Sequence, residues 1–277
     1  MSTSPTISFI GAGNMASAII GGMLASGFDA GRIWASAPED SHLQALRKQF
    51  NISVTTDNRY CAQQGDIIIL AVKPQIMATV CRDIAPVVQN TRPLMVSIAA
   101  GLEAGTLDEW LGGGLPLIRV MPNTPSLVGK GAAGLYANDD VSDAQKETVA
   151  SIFSSIGSAL WVDDEASLHA VTALSGSGPA YFFLMLEALE SAAAKAGMPA
   201  ETARELAIQT MAGAAEMAAR SEHDPAQLKR NVMSPGGTTE QAINTFESGG
   251  LRELVDQALQ AAYRRSEEMA RELAGKD

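Results

Sequence analysis

Between residues 6 and 162, short apolar runs alternate with segments long enough for helices. The runs at 7–10, 32–35, 67–72, 94–98 and 117–121 are almost continuously apolar and bounded by turn or capping residues. A strand with one wet face alternates in polarity, whereas one covered on both faces does not, so these runs predict strands of a parallel sheet sandwiched by helices. Segments 16–26, 41–50 and 106–111 supply helices between them. The alternation predicts an α/β architecture with an N-terminal Rossmann-like, doubly wound domain.

From residue 163 the pattern changes. Segment 167–196 is rich in Ala, Leu and Met, with Pro179 suited to open a helix and Gly197 to close one. Helices are expected again at 199–220, 225–233, 238–246 (stopped by Gly249-Gly250) and 251–274, with no strand pattern between them. The chain therefore reads as a dinucleotide-type domain, 1–162, followed by an all-helical domain, 163–277. The apolar faces of these helices exceed what a domain of that size can bury alone. A homodimer, or a larger ring of dimers, is expected to form through them.

Of the 277 residues, 46% are hydrophobic and 18% charged, which suits a two-domain globular chain and argues against disorder. The net charge of −11 comes without a dense Lys/Arg run. Arg264-Arg265 is followed, after Ser266, by Glu267-Glu268 and reads as a solvated helix face, so neither nucleic acid nor an anionic membrane is expected as a partner. Cys61 and Cys81 have no CxxC spacing and cannot cage a metal; no metal is expected, and two isolated thiols suit a reducing compartment. The start, Met1 to Pro5, lacks a basic leader, and the apolar run 66–72 is too short to span a bilayer. A cytoplasmic location is expected.

Phe9-Ile10-Gly11-Ala12-Gly13-Asn14-Met15-Ala16 has the form GxGxxA between a strand and a helix. Gly11 would make the tight turn, and Gly13 would leave a pyrophosphate free to approach the helix N-terminus, whose N–H groups and dipole favour an anion. A glycine turn serving only the fold is the alternative. At the end of the second strand, NAD-selective sites usually carry Asp or Glu for the ribose 2′-hydroxyl. Here Ser36 has no charge to repel a 2′-phosphate and can donate to it, with Arg32 or Asn58 assisting. NADPH is the expected cofactor and NADH the second candidate; a turn role for Ser36 would leave both open.

Other strand ends look specialised. Ala71-Val72-Lys73-Pro74 ends a very apolar strand on a cation, although Lys73 also fits as an ordinary snorkelling lysine. Ile98-Ala99-Ala100-Gly101 offers small residues on which a flat ring could lie, and Met121-Pro122-Asn123-Thr124-Pro125 sets two prolines around an amide and a hydroxyl. In the helical half, Ser175-Gly176-Ser177-Gly178-Pro179 reads as a close-approach point or a helix break. Ser234-Pro235-Gly236-Gly237-Thr238-Thr239-Glu240-Gln241 has capping-box spacing at Thr238 and Gln241. It is either an anion site, with the N–H groups of Gly236 and Gly237 open and the hydroxyls of Ser234, Thr238 and Thr239 adding donors, or a plain turn. His42, His169 and His223 lack ligand-like spacing and read as surface or packing residues.

Taken together, the glycine loop, Ala71–Pro74, Met121–Pro125 and above all the two Ser/Thr–Gly motifs resemble the pyrroline-5-carboxylate reductase family over nearly the whole chain. Thr238, where some relatives carry alanine, is a small departure. The resemblance implies formation of L-proline from 1-pyrroline-5-carboxylate with NAD(P)H, a Rossmann-like domain, an all-helical dimerisation domain and often a decamer. It implies Gly11, Ala12, Gly13, Asn14 and Met15 at the cofactor, with Ser36 and Asn58 near the adenosine ribose. Ala71, Val72, Lys73, Pro74, Ile98, Ala99 and Ala100 would lie along the cofactor, and Glu222, Ser234, Gly237, Thr238 and Thr239 near the substrate.

A cyclic imine is basic enough to be protonated and then accepts hydride readily, so the protein's work is mainly positioning. Thr172 is the candidate for hydrogen bonding the imine or product nitrogen, and the site is expected between the domains. Two rivals remain at this point. A β-hydroxyacid dehydrogenase would reduce a carbonyl with a helical-domain lysine as proton donor, yet Lys195 and Lys229 sit in ordinary amphipathic surroundings. A non-catalytic NADP-binding regulator would keep the glycine loop without needing the later Ser/Thr–Gly clusters.

Overall fold

A computed structural model describes residues 4–275. The chain divides into two compact units, one comprising everything up to Ser177 together with the stretch from Ala262 onward, the other Gly178–Ala261.

In the first unit, β1 (Ile7–Ile10), α1 (Asn14–Ala25), β2 (Ile33–Ser36), α2 (Asp40–Phe50), β3 (Ser53–Thr55), α3 (Asn58–Gln64), β4 (Ile67–Leu70), α4 (Pro74–Thr91), β5 (Leu94–Ser97), α5 (Ala104–Leu111) and β6 (Leu117–Met121) build the doubly wound part. Then come β7 (Gly131–Ala137), α6 (Asp143–Ser154), β8 (Gly157–Trp161) and α7 (Ser167–Val171). The eight strands run in the order β3-β2-β1-β4-β5-β6-β7-β8. All neighbours are parallel except β6 and β7. Ile7 sits in register with both Ile33 and Ile67, so the strand order reverses on the two sides of β1. The ends of β1 and β4 flank the crevice where such sheets collect ligands.

Successive residues of a strand point to opposite faces, and the core divides accordingly. Phe9 packs on one face with Ile19, Ile20 and Phe153; Ile10, Ile68 and Leu70 pack on the other with Met77, Ile84 and Leu107. Each such fully buried side chain contributes roughly 1.5–3 kcal/mol relative to exposure. This is why the strand runs lack polar alternation.

Local chemistry moves some boundaries. Asp29 accepts a hydrogen bond from the Gly31 N–H and winds Ala30–Arg32 into a tight turn, so the second strand starts at Ile33 rather than 32. The strands expected at 67–72 and 94–98 stop at Leu70 and Ser97, leaving Ala71–Lys73 and Ile98–Gly101 as loop backbone. Strands β3, β7 and β8 and helices α3, α4 and α6 lie outside the elements that the apolar pattern predicts. The strand β3 has three residues, β7 is built of Gly and Ala with only two larger side chains, and β8 is largely exposed, so none carries a strong apolar run.

The segment 167–196 is not one helix. After α7 the backbone widens into a π-type turn over Thr172–Gly176 and resumes as α8 (Gly178–Lys195). The other helices are α9 (Ala200–Arg220), α10 (Pro225–Asn231), α11 (Thr238–Ser248) and α12 (Leu251–Leu273), with the last part of α12 belonging to the first unit. The boundary read from the sequence at 162/163 thus precedes α7, while the compact units part at Ser177. Within Gly178–Ala261 only Gly178 and Ala203 are buried.

Candidate active site

The glycine loop leaves β1 with Gly11 at φ +101°, a conformation L side chains rarely adopt. Its N–H donates to the Ser36 carbonyl at 2.9 Å and ties the loop to β2. Gly13 is the N-cap of α1, and no side chain caps that end. A Cβ placed on Gly13 would meet nothing within 4 Å. The open helix start and the bare Gly13 therefore fit a pyrophosphate. His42, expected as a surface or packing residue, places Nε2 against the Ala12 carbonyl oxygen and so helps hold this loop.

Ser36 differs from expectation. It is fully buried, and its hydroxyl donates to Asn58 Oδ1 at 2.8 Å, with the Phe9 carbonyl at 3.4 Å. Its proton is thus committed inside the protein. Asn58, at the start of α3 and half-buried, has its amide set by that bond, with Nδ2 as the remaining donor. Beneath the pair, burial pushes the Cys61 thiol up to about 12, so it is not a nucleophile.

Lys73 is the N-cap of α4, and Pro74 opens that helix without needing a donor. Ala99 is buried, Ile98 and Ala100 are half-buried, and Gly101 turns the chain at φ +74°. Behind this loop lies an ion pair between a buried arginine and a half-buried glutamate. Glu165 Oε1 accepts from Arg119 Nη1 at 2.7 Å and from the Ala104 N–H at 2.5 Å, fastening the loop to β6. Arg119 was visible in the sequence as a charge inside an apolar strand, which demands a partner. Glu165, far along the chain, carried no such signal.

The glycine loop, Ser36, Asn58, Ala71–Pro74 and Ile98–Ala100 thus occupy the carboxyl ends of β1 to β5 and the loops beyond them. Thr172 joins the last of these. Together with Ala100, Gly101, Ser177, Ala262, Arg265, Ser266 and Met269 it lines a cavity of about 140 Å³. The Thr172 hydroxyl donates to the Leu168 carbonyl at 2.7 Å. Close by, His169 Nδ1 lies 2.9 Å from Ser266 Oγ, and burial, aided by Arg119, lowers its pKa.

Glu222, Ser234, Gly237, Thr238 and Thr239 belong to the second unit. The capping box expected at Thr238 and Gln241 does not form. Gly237 is the N-cap of α11, with no side-chain cap bond. Nor are the two glycine N–H groups open: Gly237 donates to the Ser234 carbonyl at 2.9 Å, and Gly236 donates to Glu240 Oε2 at 2.7 Å. With Gly237 as the N-cap, the third helical position falls on Glu240 rather than Gln241, and its carboxylate, which also suits the positive end of the helix, is the group that reaches back. Free donors remain on the first-turn N–H groups of Thr238 and Thr239 and on the nearby hydroxyls.

Comparison with known proteins identifies this architecture. A family profile described as pyrroline-5-carboxylate reductase dimerisation matches residues 165–269, and one described as NADP oxidoreductase coenzyme F420-dependent matches 6–101. Pyrroline-5-carboxylate reductase of Pseudomonas aeruginosa is 50% identical over 273 residues, 99% of each chain. The chain belongs to the pyrroline-5-carboxylate reductase family. A reductase structure from Coxiella burnetii superimposes with TM-score 0.94 at 43% identity, covering 97% of this chain and 99% of that one. The Plasmodium falciparum pyrroline carboxylate reductase, a structure with NADP bound, gives TM-score 0.84 at 33% identity, covering 96% and 98%. Family membership bears out the α/β fold with its Rossmann-like first domain and helical dimerisation domain. It also displaces the two rival readings. Of the two lysines considered for a carbonyl-reducing relative, Lys229 is engaged with Glu247 at 3.1 Å.

Proposed function

We propose that this chain reduces the C=N bond of 1-pyrroline-5-carboxylate to give L-proline, with hydride supplied by NADPH, or by NADH as the second donor. The observation that carries this reading is the cavity that sets Ala100, at the end of the cofactor-binding strands, beside Thr172. Gly11, Ala12, Gly13, Asn14 and Met15 would hold the pyrophosphate at the uncapped start of α1. Asn58, oriented by Ser36, would donate to the adenosine ribose or its 2′-phosphate. Ala71, Val72, Lys73 and Pro74 with Ile98, Ala99 and Ala100 would line the cofactor's length, the small side chains admitting a flat ring.

Thr172 has a specific part. Its hydroxyl proton is given to Leu168, so its outward face is an acceptor. A protonated imine presents an N–H donor. Thr172 accepts from it, stabilises the iminium and holds its carbon in place for hydride addition. The proton stays on nitrogen and the product is the secondary amine. For the substrate carboxylate, Ser234, Thr238 and Thr239 offer hydroxyls and Thr238 and Thr239 free N–H groups, and Gly237 and Glu222 complete the proposed substrate-binding set.

The enzyme is further proposed to act in the cytoplasm, which suits its two unpaired thiols, and as a homodimer, with a decamer as the higher assembly. Phe182, Phe183 and Leu184 are each more than 60% exposed on a unit that has almost no core of its own, and a second copy would cover them. Among the described residues no helix is long and apolar enough to cross a membrane.

The deciding assay is oxidation of NADPH on adding 1-pyrroline-5-carboxylate, followed by detection of L-proline. Turnover of a β-keto acid with no turnover of the imine would overturn the assignment.

A further inference from the structure

Met121–Pro125 is the one motif whose chemistry the site described above leaves unused. We propose that Asn123 is a positioning residue for the reduction, holding the wide helical turn that presents Thr172. The proposal rests on the reading of Thr172 as the imine partner.

Asn123 is buried just beyond β6, and both ends of its amide are engaged. Its Oδ1 accepts from the Ala132 N–H at 2.9 Å, anchoring it to β7. Its Nδ2 donates to the Ser175 carbonyl at 3.0 Å, inside the widened segment. In an α-helix that carbonyl would be served by the N–H four residues on. That residue is Pro179, which has none. Asn123 supplies the donor that Pro179 removes.

The widening matters for the cavity. Positions five apart on an α-helix point roughly 140° away from each other. Here the Ser177 N–H bonds to the Thr172 carbonyl at 2.8 Å, five residues back, and the inserted residue brings Thr172 and Ser177 onto one cavity wall. Gly176 permits the turn to pass close over β6, since a Cβ there would come 2.6 Å from the end of the Met121 side chain. The turn is thus braced on one side by an amide and on the other by a missing side chain.

The test uses Asn123→Asp in the full-length enzyme. Aspartate keeps the acceptor for Ala132 and sets an oxygen against the Ser175 carbonyl in place of the donor. A kcat loss of about tenfold or more is expected, with the dissociation constant for NADPH changed less than about twofold. Hydrogen exchange in the peptide containing Ser177 should quicken. In a Thr172→Ala background the same substitution should add little further loss, because both act on one contact.

A purely structural brace would lower Tm, leave kcat of the folded enzyme unmoved, and add in full to Thr172→Ala. Either an unmoved kcat or unchanged exchange at Ser177 overturns the proposal. If Thr172→Ala alone leaves kcat intact, the Thr172 assignment falls, while faster exchange and reduced kcat in Asn123→Asp would still uphold the brace. Should Asn123→Asp fail to fold, Gly176→Ala perturbs the same turn against a flexible side-chain end. An intact kcat in that variant overturns the proposal, and a loss absorbed by Thr172→Ala supports it.

Discussion

Gly11 and Ala71 are in such close apposition that a Cβ on Gly11 would lie 2.6 Å from the Ala71 carbonyl oxygen. The β1 turn and the β4 turn are packed backbone to backbone, and Ala71 N–H reaches back to the Ile10 carbonyl at 2.8 Å. Gly13, two residues on, has open space instead. One glycine serves the fold and the other leaves room for a ligand.

Substituting these two positions should therefore separate stability from binding. Gly11→Ala meets both a clash and a positive φ, a strain of about 1–3 kcal/mol before relaxation, and should lower Tm together with NADPH affinity. Gly13→Ala should leave Tm within a degree or so and weaken NADPH by about tenfold or more, because its methyl group would occupy the approach to the helix start. Thermal melts and fluorescence titration check both. Undiminished NADPH binding in Gly13→Ala would remove the pyrophosphate from this loop.

Thr172→Val keeps the shape and removes the acceptor. We expect kcat to fall by roughly 10- to 100-fold with little change in Tm, as for loss of one preorganised hydrogen bond to developing charge. Steady-state kinetics at saturating NADPH provide the measurement. A raised KM with kcat intact would instead make Thr172 a ground-state contact.

His169 should make stability depend on pH. Burial lowers its pKa from the ordinary 6.5, and Arg119 adds to this against the opposing pull of Glu267, Glu103 and Glu165. The folded imidazole therefore binds a proton less readily than the unfolded one. Its contribution to stability is full above 6.5, declines as pH drops below that value and is lost as pH falls through the lowered folded pKa. Denaturant melts at pH 7.5 and 5.5 should show a smaller loss of stability in His169→Gln than in the wild type. Equal losses in the two proteins would exclude His169 as the cause.

The exposed face of α8 makes a prediction about assembly. Phe182→Asp combined with Phe183→Asp should convert the dimer to monomers in sedimentation velocity, since each places a charge in what would be a desolvated interface. A wild-type protein that sediments as a monomer when dilute would refute the dimer at once.

The sheet strands and the glycine loop were legible early because their signals are local. A strand buried on both faces must be apolar throughout, and a strand–glycine–helix turn must carry glycine where φ is positive, as at Gly11. The helical half was legible as helices, yet the widened turn at Thr172–Gly176 was not, since the donor that meets its Ser175 carbonyl comes from an asparagine 52 residues earlier. Ser36 misled for a related reason. A serine at a strand end looks free to meet a phosphate, and only packing shows that its proton is already given to Asn58.

The amino-acid sequence by itself determined the periodicities, the compulsory glycines and the family to which the chain belongs, because each depends on neighbours a few residues apart or on motifs read in order. Tertiary structure alone decided which donors and acceptors are spent and which are left over. Glu240 rather than Gln241 caps the Gly236 N–H, Glu165 answers Arg119, and Asn123 completes the turn beneath Thr172. A hydrogen bond needs two groups within about 3 Å, and linear spacing cannot say which distant pair folding will bring that close.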